Sequence, residues 1–270
     1  MTSLSKTPAP RPMSRRALLR QAQALGVSAL LGPLLWPAAR AAGTHASVER
    51  GAPHQLPLRA VAELDLDTPT MVGDEPADLA VLTLGGIEIT SGVLVATDAL
   101  LLEGSPFAMH VEPGRYPLQI VLARLASGEE RVALLQLKLA ERPATRWIVA
   151  EPQGAGPAQP DDEVAGFDVE SGVACLIDAA ALAAWRAELD ASPDALQSLE
   201  RVLRENRRPI WTWARVHAGG GAGVLVTAGF GEGTYAAYWG LDAAGTPVSL
   251  VLDFDLLDWA GLPVEPPTEA

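Results

Sequence analysis

Short apolar and β-branched runs, each cut off by glycine or another turn signal, recur through this chain and limit what it can fold into. Leu79 to Leu84, Ile87 to Thr90 and Gly92 to Thr97 are punctuated by Gly85-Gly86 and Ser91-Gly92. Runs of this length bounded by turn residues read as strands. Tyr116 to Arg124 and Arg131 to Lys138 flank Ser127-Gly128-Glu129-Glu130, where Gly128 supplies the positive φ of a tight hairpin. A further apolar run covers residues 172–178. Three strand candidates close the region: Ile210 to His217, Val224 to Thr227 and Tyr235 to Leu241. A fourth, Val248 to Phe254, pairs with the third across Asp242 to Thr246.

Between these strand sets lies a helical section. Asp178 is placed to cap Ala179 to Leu189. Ser192-Pro193 opens a second helix through about Glu205, with Ser as N-cap and Pro at the first helical position. Leu196, Leu199, Val202 and Leu203 recur at three- and four-residue spacing, giving one apolar face to lay on a sheet. The expected fold is α+β: mainly antiparallel, sandwich-like sheets with a helical pair inserted around residues 179–206. No repeat is evident beyond the likeness of Gly92-Val-Leu-Val to Gly223-Val-Leu-Val, and four residues carry little weight.

The start of the chain is different in kind. Ser14-Arg15-Arg16-Ala17-Leu18-Leu19-Arg20 leads into an apolar stretch diluted by Gln21, Gln23, Gly26 and Gly32, then Ala39-Arg40-Ala41. A basic n-region, a moderate apolar core and a small-residue cleavage site form a secretory signal. The paired arginines and the diluted core point to the twin-arginine route, with cleavage after Ala41. The expected organisation is a signal over 1–41, a linker and lead-in over 42–75, one globular domain over 76–260 and a tail over 261–270. The expected location is periplasmic or secreted, with no stable membrane span after cleavage.

Residues 1–41 hold 6 of the 20 Lys and Arg and none of the 33 Asp and Glu, so the remainder has 14 bases against 33 acids, a net −19. That charge excludes nucleic acid as a partner, since phosphate affinity rests on Lys and Arg. It also disfavours anionic lipid. Cys175 is the sole cysteine, so no intramolecular disulfide forms; its apolar setting marks it as a buried small hydrophobe.

Several chemistries lack their anchors. His45, His54, His110 and His217 are scattered, without zinc spacing, and Asp65 with Asp67 lacks the rest of a calcium loop. No metal or cofactor is expected. Ala218 to Gly223 is glycine-rich, but it lacks a Lys-Ser/Thr ending and joins two strands, so it reads as a hairpin loop. Trp211 and Trp213 read as sheet packing, with carbohydrate stacking as the alternative. Arg201, Arg204, Arg207 and Arg208 gather at a helix C-terminus, where they complement its dipole or meet a partner. The Gly229 to Gly240 segment sets Glu232 among Gly231, Gly233, Tyr235 and Tyr238, either as a structural turn or as an acid/base or ligand-accepting site.

Four ordered segments carry a family resemblance. Ser91-Gly92 to Asp98, Glu112 to Pro117 with its return strand at 131–135, Val169 to Asp178, and Gly231 to Gly240 followed by Leu252-Asp253-Phe254 resemble the motifs of the bacterial domain of unknown function 4241. Glu232 stands where that family usually has Asp, and Ala99 replaces a common Pro. The family brings no established activity; the association of some members with toxin–immunity loci implies protein binding. The leading expectation is a non-catalytic binding or protein-interaction domain, with Arg115, Gly231, Gly233, Tyr235 and Tyr238 as binding candidates. The alternative is a hydrolase-like enzyme with Glu232 working alongside Asp98, Asp178 or Asp253, which requires these carboxylates to converge.

Overall fold

The computed structural model describes residues 70–155, 166–191 and 193–257. The twin-arginine segment, the cleavage site after Ala41, most of the 42–75 lead-in, Ser192 as a helix cap and the 261–270 tail lie outside the described residues.

Among the described residues, twelve strands and two helices follow in order: β1 Thr70–Val72, β2 Glu75–Ile89, β3 Leu94–Asp98, β4 Gly114–Leu125, β5 Glu130–Lys138, β6 Arg146–Val149, β7 Gly166–Val169, β8 Val173–Asp178, α1 Ala179–Ala191, α2 Pro193–Glu205, β9 Trp213–Ala218, β10 Gly221–Thr227, β11 Gly233–Leu241 and β12 Pro247–Asp253. The larger sheet runs β1-β2-β4-β5-β12-β11, with β6 and β7 sharing the far edge of β11. The smaller runs β3-β8-β10-β9. Every pairing is antiparallel. The fold is therefore the mainly antiparallel α+β sandwich with a helical insertion that the strand pattern predicts.

Alternation along the strands decides what each face covers. Leu94, Ile120, Leu135, Leu176, Val224, Trp239, Leu250 and Phe254 meet between the sheets. Val95, Cys175, Ile177 and Leu225 face the other way and receive Leu182 and Trp185 of α1 with Leu199 and Leu203 of α2. On the outer face of the larger sheet, Val121, Leu134, Trp147, Tyr238 and Val251 pack with Leu256 and Leu257.

Some boundaries depart from expectation. β2 is one 15-residue strand, because Gly85 absorbs a register shift at φ +83° instead of ending the run. Only Gly219 and Gly220, both at positive φ, turn the β9–β10 hairpin, whereas Gly221 and Gly223 lie inside β10. Gly223 is there for space: a Cβ would stand 2.7 Å from Ile177 Cγ1. β1, β6 and β7 are short and lack a sequence signal of their own.

The structure also contains a repeat that the sequence reading misses. Gly86-Ile-Glu-Ile-Thr-Ser-Gly-Val-Leu-Val-Ala-Thr-Asp-Ala99 and Gly166-Phe-Asp-Val-Glu-Ser-Gly-Val-Ala-Cys-Leu-Ile-Asp-Ala179 occupy matching places. Each ends a strand of the larger sheet, turns at a glycine of φ +73° (Gly92) or +75° (Gly172), and enters the smaller sheet. The correspondence continues through Gly114 and Tyr116 against Gly233 and Tyr235. Ile87 pairs with Tyr116 as Phe167 pairs with Tyr235. Both hairpins that follow carry a bulge at the same point, skipping Ala133 in one and Val248 in the other. The pairs Ala96–Leu176 and Gln136–Val251 map onto themselves, so a pseudo-two-fold axis passes between β3 and β8 and between β5 and β12. The section α1 to β9 has no counterpart in the first half, where Ala99 to Phe107 makes the same connection as a short loop.

A reciprocal clasp and an edge cavity

The two repeat aspartates lock the halves together. Asp98 Oδ1 accepts the N–H groups of Leu100 at 2.7 Å and Leu101 at 2.9 Å. Its Oδ2 accepts those of Glu170 at 2.9 Å and Ser171 at 2.7 Å, from the other half's Ser-Gly turn. Asp178 mirrors this: Oδ1 accepts from Ala180 at 2.7 Å and Ala181 at 3.4 Å, and Oδ2 from Thr90 at 2.6 Å and Ser91 at 2.8 Å. Each carboxylate caps its own following turn and ties down the turn of the opposite half. Both are nearly inaccessible, at 2% and 0% exposure. A carboxylate offers about four acceptor positions. All four are spent on backbone donors in each case.

The remaining candidates do not gather around them. Leu94 pairs with Asp178 and Asp98 with Ala174, so the two aspartates sit four residues apart along the ladder, roughly 13 Å at strand rise. Asp253 shares the outer face of the larger sheet with Val251, and its Oδ1 accepts the Asp255 N–H at 3.0 Å. Glu232 is exposed, one residue beyond the Gly233–Val169 pair. The four carboxylates therefore occupy separate surroundings rather than one cleft.

The binding candidates divide in the same way. Tyr235 points into the inter-sheet core, edge-on to Phe254 at 5.4 Å, while Tyr238 points to the outer face. The Tyr235 hydroxyl donates to Gly231 O at 3.0 Å, just as Tyr116 donates to Glu112 O at 2.5 Å. These are tyrosine corners, a hydroxyl bonded to backbone a few residues upstream. Gly233 and Gly114 serve them by letting the ring lie against bare backbone: a Cβ would stand 3.3 Å and 3.4 Å from the nearest ring or hydroxyl atom. Gly231 turns the preceding loop at φ +115°. Arg115 is exposed on β4, across from Glu88 and beside Gly86.

Burial pushes the phenols of Tyr235 and Tyr238 well above the ordinary tyrosine value, with the negative charges of Asp255 and Asp253, respectively, adding to it. Burial likewise raises the Cys175 thiol, with the Asp98 charge beside it, so this cysteine is no ready nucleophile.

Sequence reasoning missed a concave feature. A cavity of about 260 Å³ opens at the sandwich edge between the end of β3 and the start of β7. Phe107 and Phe167 form apolar walls, Ala237 the floor, and Glu103, Asp168 and Glu170 stand around it. Its loop is tightly specified. Leu102 is buried at φ +56°, outside the usual range for a branched side chain, and its carbonyl accepts from the Arg186 guanidinium. Gly104 donates to Thr97 Oγ1 at 2.9 Å and lies so close to Ala96 O that no side chain fits. Among the described residues no group of three His, Cys, Asp or Glu side chains is placed to hold a metal ion, and no helix is long and apolar enough to cross a membrane.

Fold and site together define a pseudo-two-fold antiparallel α+β sandwich, clasped by two aspartates and open at one edge. The chain belongs to the family described as protein of unknown function DUF4241, whose model matches residues 87–252, a span that takes in both repeats. No curated protein and no solved structure matches it.

Proposed function

We propose that this chain is a non-catalytic binding domain for a protein partner, exported by the twin-arginine route to the periplasm or beyond. The observation that carries this reading is the fate of the motif carboxylates. Asp98 and Asp178 give all their acceptor positions to backbone N–H groups, and Glu232 and Asp253 lie elsewhere. General acid–base work needs carboxylates with separated pKa values facing one substrate, so the hydrolase alternative lacks its constellation. An edge cavity with aromatic walls and an acidic mouth suits recognition better than turnover.

Immobilised on a support, the chain is expected to capture a protein from periplasmic extract and to turn over no member of a hydrolase substrate panel. Turnover that disappears in Glu232→Gln, with nothing captured, would overturn the reading. For the export step, Arg15→Lys with Arg16→Lys is expected to hold the chain in the cytoplasmic fraction; unchanged export of that double variant would remove the twin-arginine assignment.

A further inference from the structure

One edge of the larger sheet is mostly bare. β4 pairs with β2 from Ala77 to Ile89, whereas on the other side β1 covers only Glu75 to Ala77. Beyond Ala77 no described strand takes up that second side of β2. Which backbone groups face it follows from one bond. The Ala126 N–H, just past the end of β4, donates to Pro76 O at 3.0 Å. A residue in an antiparallel ladder directs its N–H and C=O the same way. Even-numbered positions of this stretch therefore bond toward β4, and Ala77, Leu79 and Val81 present their backbone groups to the other side. Three large apolar side chains stand exposed along it: Met71 at 41%, Val81 at 40% and Leu82 at 36%. A bare edge carrying apolar side chains is a template for an added strand.

The edge also has a charge preference. Arg215 of β9 reaches β2 at Gly85, its Nη2 2.5 Å from where a Cβ on that glycine would be. Its guanidinium lies 5.8 Å from the Trp213 ring centroid, and its Nε is buried without a hydrogen-bond partner. Among the described residues no carboxylate pairs with it. A partly desolvated guanidinium gains strongly from a carboxylate. On β2, Ala80 and Leu84 face the inter-sheet core, while Ala77 and Leu79 face outward. An added strand would thus meet apolar neighbours at its outward positions and this cation beside its inward ones.

The segment that enters β1 has that alternation: Glu63-Leu64-Asp65-Leu66-Asp67-Thr68-Pro69. Thr70 pairs with Ala77. Continued backward, the same register would set Thr68 opposite Leu79, Leu66 opposite Val81 and Leu64 opposite Thr83, all outward. Asp67, Asp65 and Glu63 would fall opposite Ala80, Leu82 and Leu84, with Asp65 and Glu63 nearest Arg215. Pro69 would meet Asp78 two positions along from the Met71–Pro76 pair, which is of the non-hydrogen-bonded kind. Its missing N–H would face away from β2, where an edge strand tolerates proline. We infer that the bare edge of β2 is a strand-addition site for an extended segment alternating acidic and apolar residues, and that its occupant is this chain's own lead-in, residues 63–69. Attachment to β1 holds that segment at high effective concentration, ahead of a second copy or a partner strand.

Amide hydrogen exchange in the full-length chain tests this, because the Leu79 and Val81 N–H groups find acceptors only in an added strand. Both are expected to be protected, equally at low and high protein concentration. Leu66→Pro, which removes the N–H opposite Val81, is expected to speed their exchange about tenfold or more, the scale of one or two lost backbone bonds. Leu135 and Val251 are expected to stay slow, showing an intact core. Glu63→Gln with Asp65→Asn is expected to speed exchange severalfold, and adding Arg215→Gln to that pair is expected to change little further, since the charges act together.

Free exchange of Leu79 and Val81 in the native chain would overturn the proposal, as would protection that survives Leu66→Pro. Protection that grows with protein concentration would give the edge to a second copy. Protection that arises only in periplasmic extract would give it to a partner strand. Either result removes the lead-in as occupant.

Discussion

At the scale of single residues, the tyrosines show how burial shapes the chemistry of this chain. It has three, Tyr116, Tyr235 and Tyr238, and each phenol is held above its ordinary value, first by burial and then by nearby carboxylates. The sign of the linkage follows. In the unfolded chain these phenols ionise near pH 10, whereas the folded state keeps them neutral. Their contribution to stability is full below that pH and is lost as pH climbs toward the folded values. Phenolate absorbance is therefore expected to lag behind free tyrosine above pH 10 and then to rise together with the loss of native circular dichroism. Independent ionisation of all three near pH 10 in the folded protein would contradict the burial seen here. Gly104 belongs to the same scale: Gly104→Ala forces a methyl against Ala96 O and Thr97. It is expected to lower the unfolding free energy by about 1–3 kcal/mol, the usual cost of overpacking.

At the scale of elements, much was legible because local chemistry and tertiary role agree. The Ser127-Gly128 and Asp242 to Thr246 turns form where their residues demand, with Gly128 at φ +89° and Gly245 at φ +81°. Asp178 caps α1 as its position suggests. The apolar face of α2 is real: Leu199 and Leu203 are each 2% exposed against the smaller sheet. Leu199→Ala and Leu203→Ala are each expected to cost about 2–5 kcal/mol, the range for leucine deletions in cores, measured by urea unfolding; a loss below about 0.5 kcal/mol in both would mean the insertion is only loosely docked. The short strands were not legible, for a physical reason. β6 and β7 owe their conformation to the edge of β11 rather than to their own four residues each, and β-propensity is largely a matter of such context.

At the scale of the whole molecule, the repeat explains what the sequence concealed. Both copies were visible as separate motifs, yet their equivalence depends on pairings more than a hundred residues apart, such as Gln136 with Val251. The first copy continues into a loop and the second into two helices, so the similarity ends where the chain resumes different tasks. The candidate site suffered likewise. Asp98 and Asp178 look like an acid pair in one dimension, but antiparallel pairing of β3 and β8 sends them to opposite ends of a ladder and closes each with the other half's backbone. The cavity was invisible because no motif builds it; its lining from β3, the 101–107 loop, residues 150 and 152 and the start of β7 comes together only in the fold. If the aspartates are reciprocal structural clasps, they should be energetically alike despite their different neighbours. The most direct test is the unfolding free energy of Asp98→Asn beside that of Asp178→Asn. Each loses the charge and half the acceptor capacity that hold four backbone N–H groups, which costs about 2–4 kcal/mol for charge-assisted bonds of this kind. The account predicts comparable losses in that range for both. Stability within about 0.5 kcal/mol of the native chain in either variant, the level of an ordinary surface substitution, would contradict it.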